Sequence, residues 1–163
     1  MKKSTILLLV VVYIISFFVI GLLGHSIRNY NPEVYPESIE IIDPDNRTEL
    51  SKDTVDPDTG EILYHYYFVY KNYKCGDCVR IKANVKPDNC TYPDVKFTKD
   101  ESDTSFKIET NETNPNIEKN FALITLTEEL DTVISTPFFV STTNPGTQIK
   151  LKVCITFVSP LLS

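Results

Sequence analysis

The sequence predicts an all-β protein, an antiparallel β-sandwich of about seven or eight strands that follows one apolar transmembrane helix at the N-terminus. Beyond the first two dozen residues the chain is rich in Thr, Val, Ile, Tyr and Phe, which favour strands. Breaks that contain Pro or Gly interrupt it about every 8 to 15 residues. Roughly 135 residues remain after the apolar segment, which is enough for one domain.

The N-terminal helix is predicted from a long apolar run. Residues 6–23 are apolar and are interrupted only by Ser16. A run of this length is close to the roughly 20 residues that a helix needs to cross a bilayer. Because Lys2 and Lys3 precede the run, the positive-inside rule predicts a cytoplasmic N-terminus. We therefore expect a single-pass membrane protein that contacts the membrane through residues 6–23.

These features divide the chain into three parts. Residues 1–24 are predicted to be a signal-anchor, residues 25–36 a stalk and residues 37–160 an extracytoplasmic β-sandwich domain. The alternative is a signal peptide whose cleavage releases a secreted protein. The apolar run is longer than that of most cleaved signals, and no Ala-x-Ala-like site closes it. We therefore expect the segment to remain attached.

The strands are predicted from the alternation of apolar and polar residues. The clearest half-buried strand is the last one, where Val153 and Ile155 alternate with Lys152 and Thr156. Pro137 indicates an edge strand or a bulge. The number and spacing of the strands predict an immunoglobulin-like general architecture, although the chain has no Trp to mark a true immunoglobulin domain. The predicted strands are 38–42, 62–74, 79–85, 95–98, 105–109, 121–127, 133–142 and 149–157, with a long loop at 43–61.

Four cysteines in an exported domain predict two disulfides. Residues 76–77 are predicted to form a hairpin turn, which sets Cys75 opposite Cys78. Cys90 lies beyond the far end of the following strand, about 25 Å away, and is therefore too distant to bridge to either. We expect the pairs Cys75–Cys78 and Cys90–Cys154. The spacing of the first pair also occurs in thiol–disulfide enzymes and zinc sites, but the flanking segments read as strands and the other two cysteines are not a close pair.

The predicted loops carry candidate modification and cation sites. Asn46, Asn89 and Asn111 each begin an Asn-x-Thr sequon and are predicted N-glycosylation sites. Residues 56–61 resemble a calcium loop, but Tyr67 stands where an EF-hand requires Glu. We expect an ordinary turn there, and no metal site; a calcium site of another type is the alternative.

The strand predicted at 62–74 is dense in aromatic residues. By alternation, Tyr64, Tyr66 and Tyr70 share one face, and Tyr67 lies on the other with His65. Packing in the core accounts for such a face, and an exposed surface for a sugar or protein partner is the functional alternative. The candidate binding surface comprises Tyr64, Tyr66, Tyr67 and Tyr70.

The net charge and the residue content restrict the classes of function that this protein can have. The net charge of −6 and the pI of about 4.9 disfavour nucleic-acid binding, and no Lys/Arg cluster is visible along the sequence. No nucleophile motif accompanies the two histidines, His25 and His65, so we expect no enzyme and no cofactor. The expected function is that of a membrane-tethered binding, adhesion or envelope-structural module with a protein or glycan partner outside the cell. The alternatives are an accessory subunit of a larger membrane assembly and thiol–disulfide exchange through Cys75 and Cys78.

Overall fold

A computed structural model shows the chain as two compact units, Met1–Glu33 and Val34–Ser163. The structure describes residues 3–28, 32–47, 49–129, 133–146 and 148–162. The first unit holds one helix, α1 (Lys3–Arg28). The second unit holds strands, with a short 3₁₀ helix at Pro160–Leu162.

Helix α1 corrects the predicted membrane placement. Within the described part of the chain, no helix is both long enough and apolar enough to span a membrane. The predicted single-pass anchor at residues 1–24, with membrane contact through residues 6–23, is therefore not supported. The helix also extends to Arg28, into the segment predicted as a stalk.

Nine strands form among the described residues of the second unit. All eight predicted strands are present, and their observed ends differ from the predicted ends by three residues at most. The ninth, β2, lies inside the predicted loop at 43–61. The strands are β1 (Ser38–Ile42), β2 (Glu49–Val55), β3 (Ile62–Lys71), β4 (Cys78–Lys86), β5 (Val95–Thr98), β6 (Phe106–Thr110), β7 (Phe121–Leu126), β8 (Val133–Thr142) and β9 (Lys150–Val158).

Strand β2 is missing from the prediction because its own sequence carries little strand signal. It is mostly polar, and Asp53 has a positive φ of 49°. What holds it in place is pairing with β3, in which Leu50 lies opposite Phe68. The connecting turn favours that pairing, since the Asp56 carboxylate accepts the N–H of Asp58 at 2.8 Å.

The strands make two sheets, a four-stranded sheet in the order β1-β4-β7-β6 and a five-stranded sheet in the order β2-β3-β9-β8-β5. The arrangement is consistent with a sandwich. Six of the seven strand pairs among the described residues are antiparallel. The pair β3–β9 is parallel, from Tyr66 opposite Val153 to Lys71 opposite Val158. The purely antiparallel prediction is therefore wrong at this pair: after β3 the chain crosses to β4 in the four-stranded sheet instead of folding back as a hairpin, and β9 fills the place beside β3.

One buried hydrophobic cluster draws on both sheets. In β4 the alternate residues from Val79 to Val85 are buried, and their neighbours lie outside. In β9 the inner residues are Val153, Ile155 and Phe157, each fully buried. Burial of such a side chain stabilises the fold by about 1.5–3 kcal/mol, so this alternation decides which face of each strand remains available for function.

A turn at Gly76 carries the chain from one sheet to the other. Before the turn, the Tyr73 N–H donates to Val158 O at 3.2 Å in the five-stranded sheet. The Gly76 N–H then donates to Leu126 O at 3.0 Å, at the end of β7 in the four-stranded sheet. Gly76 has a φ of 86°, a conformation that glycine adopts without strain. The predicted hairpin at 76–77 is therefore wrong, because the two strands that it was to join lie in different sheets.

Candidate functional site

The tyrosines of β3 divide between the core and the surface. Tyr66 is 8% exposed and Tyr70 is 1% exposed, so neither is available to a partner. Tyr64 and Tyr67 are half-buried, and their rings stack with centroids 6.3 Å apart. Tyr64 is not on the predicted face with Tyr66, since its ring stacks on that of Tyr67 and lies beneath Lys152; the pairing of β2 with β3 also shifts register next to it, at Leu63.

The outer face of the five-stranded sheet brings these two rings together with a third ring and two lysines. Phe139 is half-buried between two core residues of β8, so its ring lies on the outer side. Lys152 of β9 lies directly opposite Phe139. The Lys150 Nζ is 4.1 Å from the centroid of the Phe139 ring, and the Lys152 Nζ is 5.0 Å from that of Tyr64. We call Tyr64, Tyr67, Phe139, Lys150 and Lys152 the lysine–aromatic face.

The lysine–aromatic face contains two lysines and no acidic residue, on an acidic protein. Strands β5, β8 and β9 contain three lysines and no Asp or Glu, whereas the whole chain has a net charge of −6. The third lysine, Lys96, lies opposite Ser141, whose partner on the other side is Lys150. In the described ranges, neither Lys150 nor Lys152 forms an ion pair; the ion pairs there are Lys86–Asp88, Lys107–Glu109 and Lys119–Asp94. The sheet thus assembles a cationic surface that the sequence does not display as a cluster.

Cys154 forms the floor of the lysine–aromatic face. It lies opposite Tyr67 on one side and Pro137 on the other, and it is 1% exposed. Burial raises the pKa of the Cys154 thiol, and hydrogen bonds with Thr156 and Tyr64 oppose that rise only partly. Burial and the neighbouring Cys154 also raise the pKa of the Tyr64 phenol. Both groups are therefore neutral near pH 7, and the thiol acts as packing rather than as a nucleophile.

The four cysteines are free thiols in the structure, and the two disulfides remain a prediction from the sequence. The Cys90 thiol donates to Val34 O at 3.3 Å and has different neighbours from Cys154. Cys75 and Cys78 are exposed on either side of the Gly76 turn. That turn joins two strands, so neither cysteine stands at the start of a helix as the first cysteine of a thioredoxin-like motif does.

The predicted glycosylation sites differ in accessibility. Asn46 and Asn89 are exposed, and Asn111 is half-buried. Thr48, which completes the first sequon, lies outside the described residues. The Thr91 hydroxyl of the second sequon accepts the Val34 N–H at 2.8 Å, so it is engaged in the folded chain.

The remaining polar candidates have structural roles. Residues 56–61 form the turn between β2 and β3, and within the described ranges no three metal-ligating side chains converge. The His65 Nδ1 accepts the Lys152 N–H at 3.1 Å, which ties β3 to β9 where their backbone pairing ends. The side chain of His25 lies outside the described residues.

The four-stranded sheet also has cations above an aromatic ring, but they share their surface with a carboxylate. Arg80 and Lys82 lie 5.0 Å and 5.4 Å from the centroid of Phe121. A cleft of about 170 Å³ beside them is lined by Glu118 as well as Arg80. The nearby negative charge weakens the local positive potential, so this surface is the natural control for the lysine–aromatic face.

The chain matches no family model, no curated protein and no solved structure. Sandwich folds host many unrelated functions, so the chemistry of a particular surface is what bears on function. Sequence reasoning selected Tyr64 and Tyr67 of the lysine–aromatic face. It missed Phe139, Lys150 and Lys152. The sequence indicates only that these three residues lie on the outer face, from the alternation of apolar and polar residues in their strands.

Proposed function

We propose that the second unit is a binding module that works by contact rather than catalysis, and that the lysine–aromatic face is the surface it presents to a protein or glycan partner. The observation that supports this proposal is the grouping of aromatic rings with two lysines that have no ion-pair partner among the described residues. Aromatic residues are enriched at the centres of interfaces. A sheet also holds them in place before binding, which reduces the entropy lost on association.

We also infer an immunoglobulin-like architecture, and the strand order supports it. Immunoglobulin domains of the constant type have one sheet of strands A, B, E and D and another of C, F and G. The order β1-β4-β7-β6 corresponds to A-B-E-D, and β9-β8-β5 corresponds to G-F-C. The hairpin β2–β3 is then an addition that lengthens the second sheet beside β9. The lysine–aromatic face lies on that second sheet, with its loops held by a rigid core.

The proposal is tested with the full chain and four classes of immobilised probe: acidic peptides, basic peptides, neutral glycans and sulfated glycans. We expect at least one class to bind, and Phe139→Ser to weaken that binding strongly. Val133→Ser is the matched control, since Val133 is an exposed apolar residue on the outer side of the same strand. An affinity that Phe139→Ser leaves unchanged, or the failure of every probe class to bind, would contradict the proposal.

A further inference from the structure

We infer that the segment recognised by the lysine–aromatic face is an extended, acidic stretch of another protein. This inference rests on the proposed function and specifies its partner. It starts from the two ammonium groups of β9, which face solvent above aromatic rings and have no carboxylate partner in the described part of the chain. Strands β5, β8 and β9 supply no Asp or Glu to compete for them.

The spacing of the lysines matches an extended chain. Lys150 and Lys152 are separated by Leu151, whose half-buried side chain packs against the core on the other side of the sheet. Alternate residues of a strand lie about 6.6 Å apart on one face. A partner in extended conformation repeats its own alternate side chains at the same distance. Two acidic residues with one residue between them therefore reach both lysines at once.

The position of the ammonium groups favours a carboxylate over a sugar ring. A sugar that stacks on an aromatic residue needs an open ring face, but Lys150 lies over Phe139 and Lys152 lies over Tyr64. A carboxylate approaches from solvent and binds the ammonium group while the ring beneath it stays in contact. The half-buried rings keep the lysine stems ordered, which lowers the entropy cost of each ion pair.

The charge of the rest of the molecule directs such a partner to this face. The chain carries a net charge of −6, so an acidic segment is repelled from most of the surface. The lysine–aromatic face is an exception that β5, β8 and β9 create together. Opposite charges at this one place orient the encounter, and added salt must weaken it.

The test uses fluorescence anisotropy of labelled nine-residue peptides added to the full chain at low salt. One peptide carries three Glu residues at alternate positions in a Thr background, and a second carries three Glu residues at every third position. The alternating peptide should bind more tightly, because its acidic side chains lie on one side. K150Q/K152Q should weaken its binding about tenfold, the combined effect of two exposed ion pairs. R80Q/K82Q removes the same charge above Phe121 on the other sheet and should change binding less than about twofold.

A sulfated polysaccharide is titrated in parallel, and the urea midpoint of each variant confirms that it is folded. If the polysaccharide binds through Lys150 and Lys152 and the peptide does not, the acidic-segment inference is overturned while the proposed binding role stands. Equal loss in the two double variants, or no preference between the two peptides, also overturns the inference. If neither the peptides nor the polysaccharide binds, the acidic-segment inference fails, and the proposed function then depends on the basic-peptide and neutral-glycan probes.

Discussion

Removal of one hydroxyl group, in Tyr70→Phe, should stabilise this protein. Tyr70 is 1% exposed, and its hydroxyl has no hydrogen bond of ordinary geometry to any described residue. Burial raises the pKa of this phenol far above its usual value, and the nearby Asp43 carboxylate adds to the rise through its charge and a hydrogen-bonding approach. That approach does not reach ordinary hydrogen-bond geometry, and the Asp43 carboxylate accepts the N–H groups of Asp45 and Arg47, each at 2.9 Å. A buried hydroxyl without a partner costs about 1–3 kcal/mol.

The net gain from Tyr70→Phe is smaller, because the missing oxygen leaves a small void. We expect the free energy of unfolding to rise by about 1 kcal/mol and the melting temperature by about 3–5 °C. The chain has no Trp, so far-UV circular dichroism in urea is the suitable measurement. The advantage should grow above a pH of about 10, where the unfolded chain releases the phenolic proton and the folded wild type retains it.

Tyr66→Phe is the matched control in the same strand. The Tyr66 hydroxyl donates to Ile39 O at 3.4 Å, so its removal should lower the free energy of unfolding by about 0.5–1 kcal/mol. The two substitutions delete the same atom from the same face of β3 and should act with opposite signs. If Tyr70→Phe destabilises the protein as much as Tyr66→Phe, the Tyr70 hydroxyl has a partner and the reasoning is refuted.

Three further predictions concern the core, one turn and one thiol. Phe138→Ala deletes a fully buried ring and should lower the free energy of unfolding, measured in urea, by about 3–5 kcal/mol. Phe139→Ala, on the outer face of β8, should lower it by about 1 kcal/mol or less, and equal losses would contradict the two faces assigned to β8. The Cβ added by Gly76→Ala meets no atom within 4 Å, yet the substitution should lower the free energy of unfolding by about 1 kcal/mol because Gly76 has a φ of 86°. An unchanged free energy of unfolding would contradict the need for glycine in this turn. Because the folded pKa of Cys154 is raised, stability is complete below the ordinary thiol pKa of 9.0 and should fall above it by up to about 1.4 kcal/mol per pH unit. Cys154→Ala should flatten this slope and Cys75→Ala, an exposed site, should not; no difference between them would argue against burial as the cause.

The edge strand or bulge predicted from Pro137 is wrong, because β8 is an inner strand that pairs without a register shift. The sequence indicates an edge strand or a bulge, yet β8 lies between β9 and β5. The proline is tolerated because β5 is short and its pairing with β8 begins at Phe139, opposite Thr98. One side of β8 is thus unpaired at Pro137 within the described residues, which is the condition that a proline in a sheet requires.

The amino-acid sequence by itself determined eight of the nine strands among the described residues and, for most of them, the side that enters the core. Both depend on a local pattern with a period of two, as the buried residues Val79 and Ile81 of β4 illustrate. Only the tertiary structure decided that β3 runs parallel to β9, that β2 forms beside β3, and that Lys152 lies above Tyr64. These contacts join residues far apart in the chain. Their geometry depends on strand register and on one bulge, and a shift of a single residue moves every side chain to the opposite face.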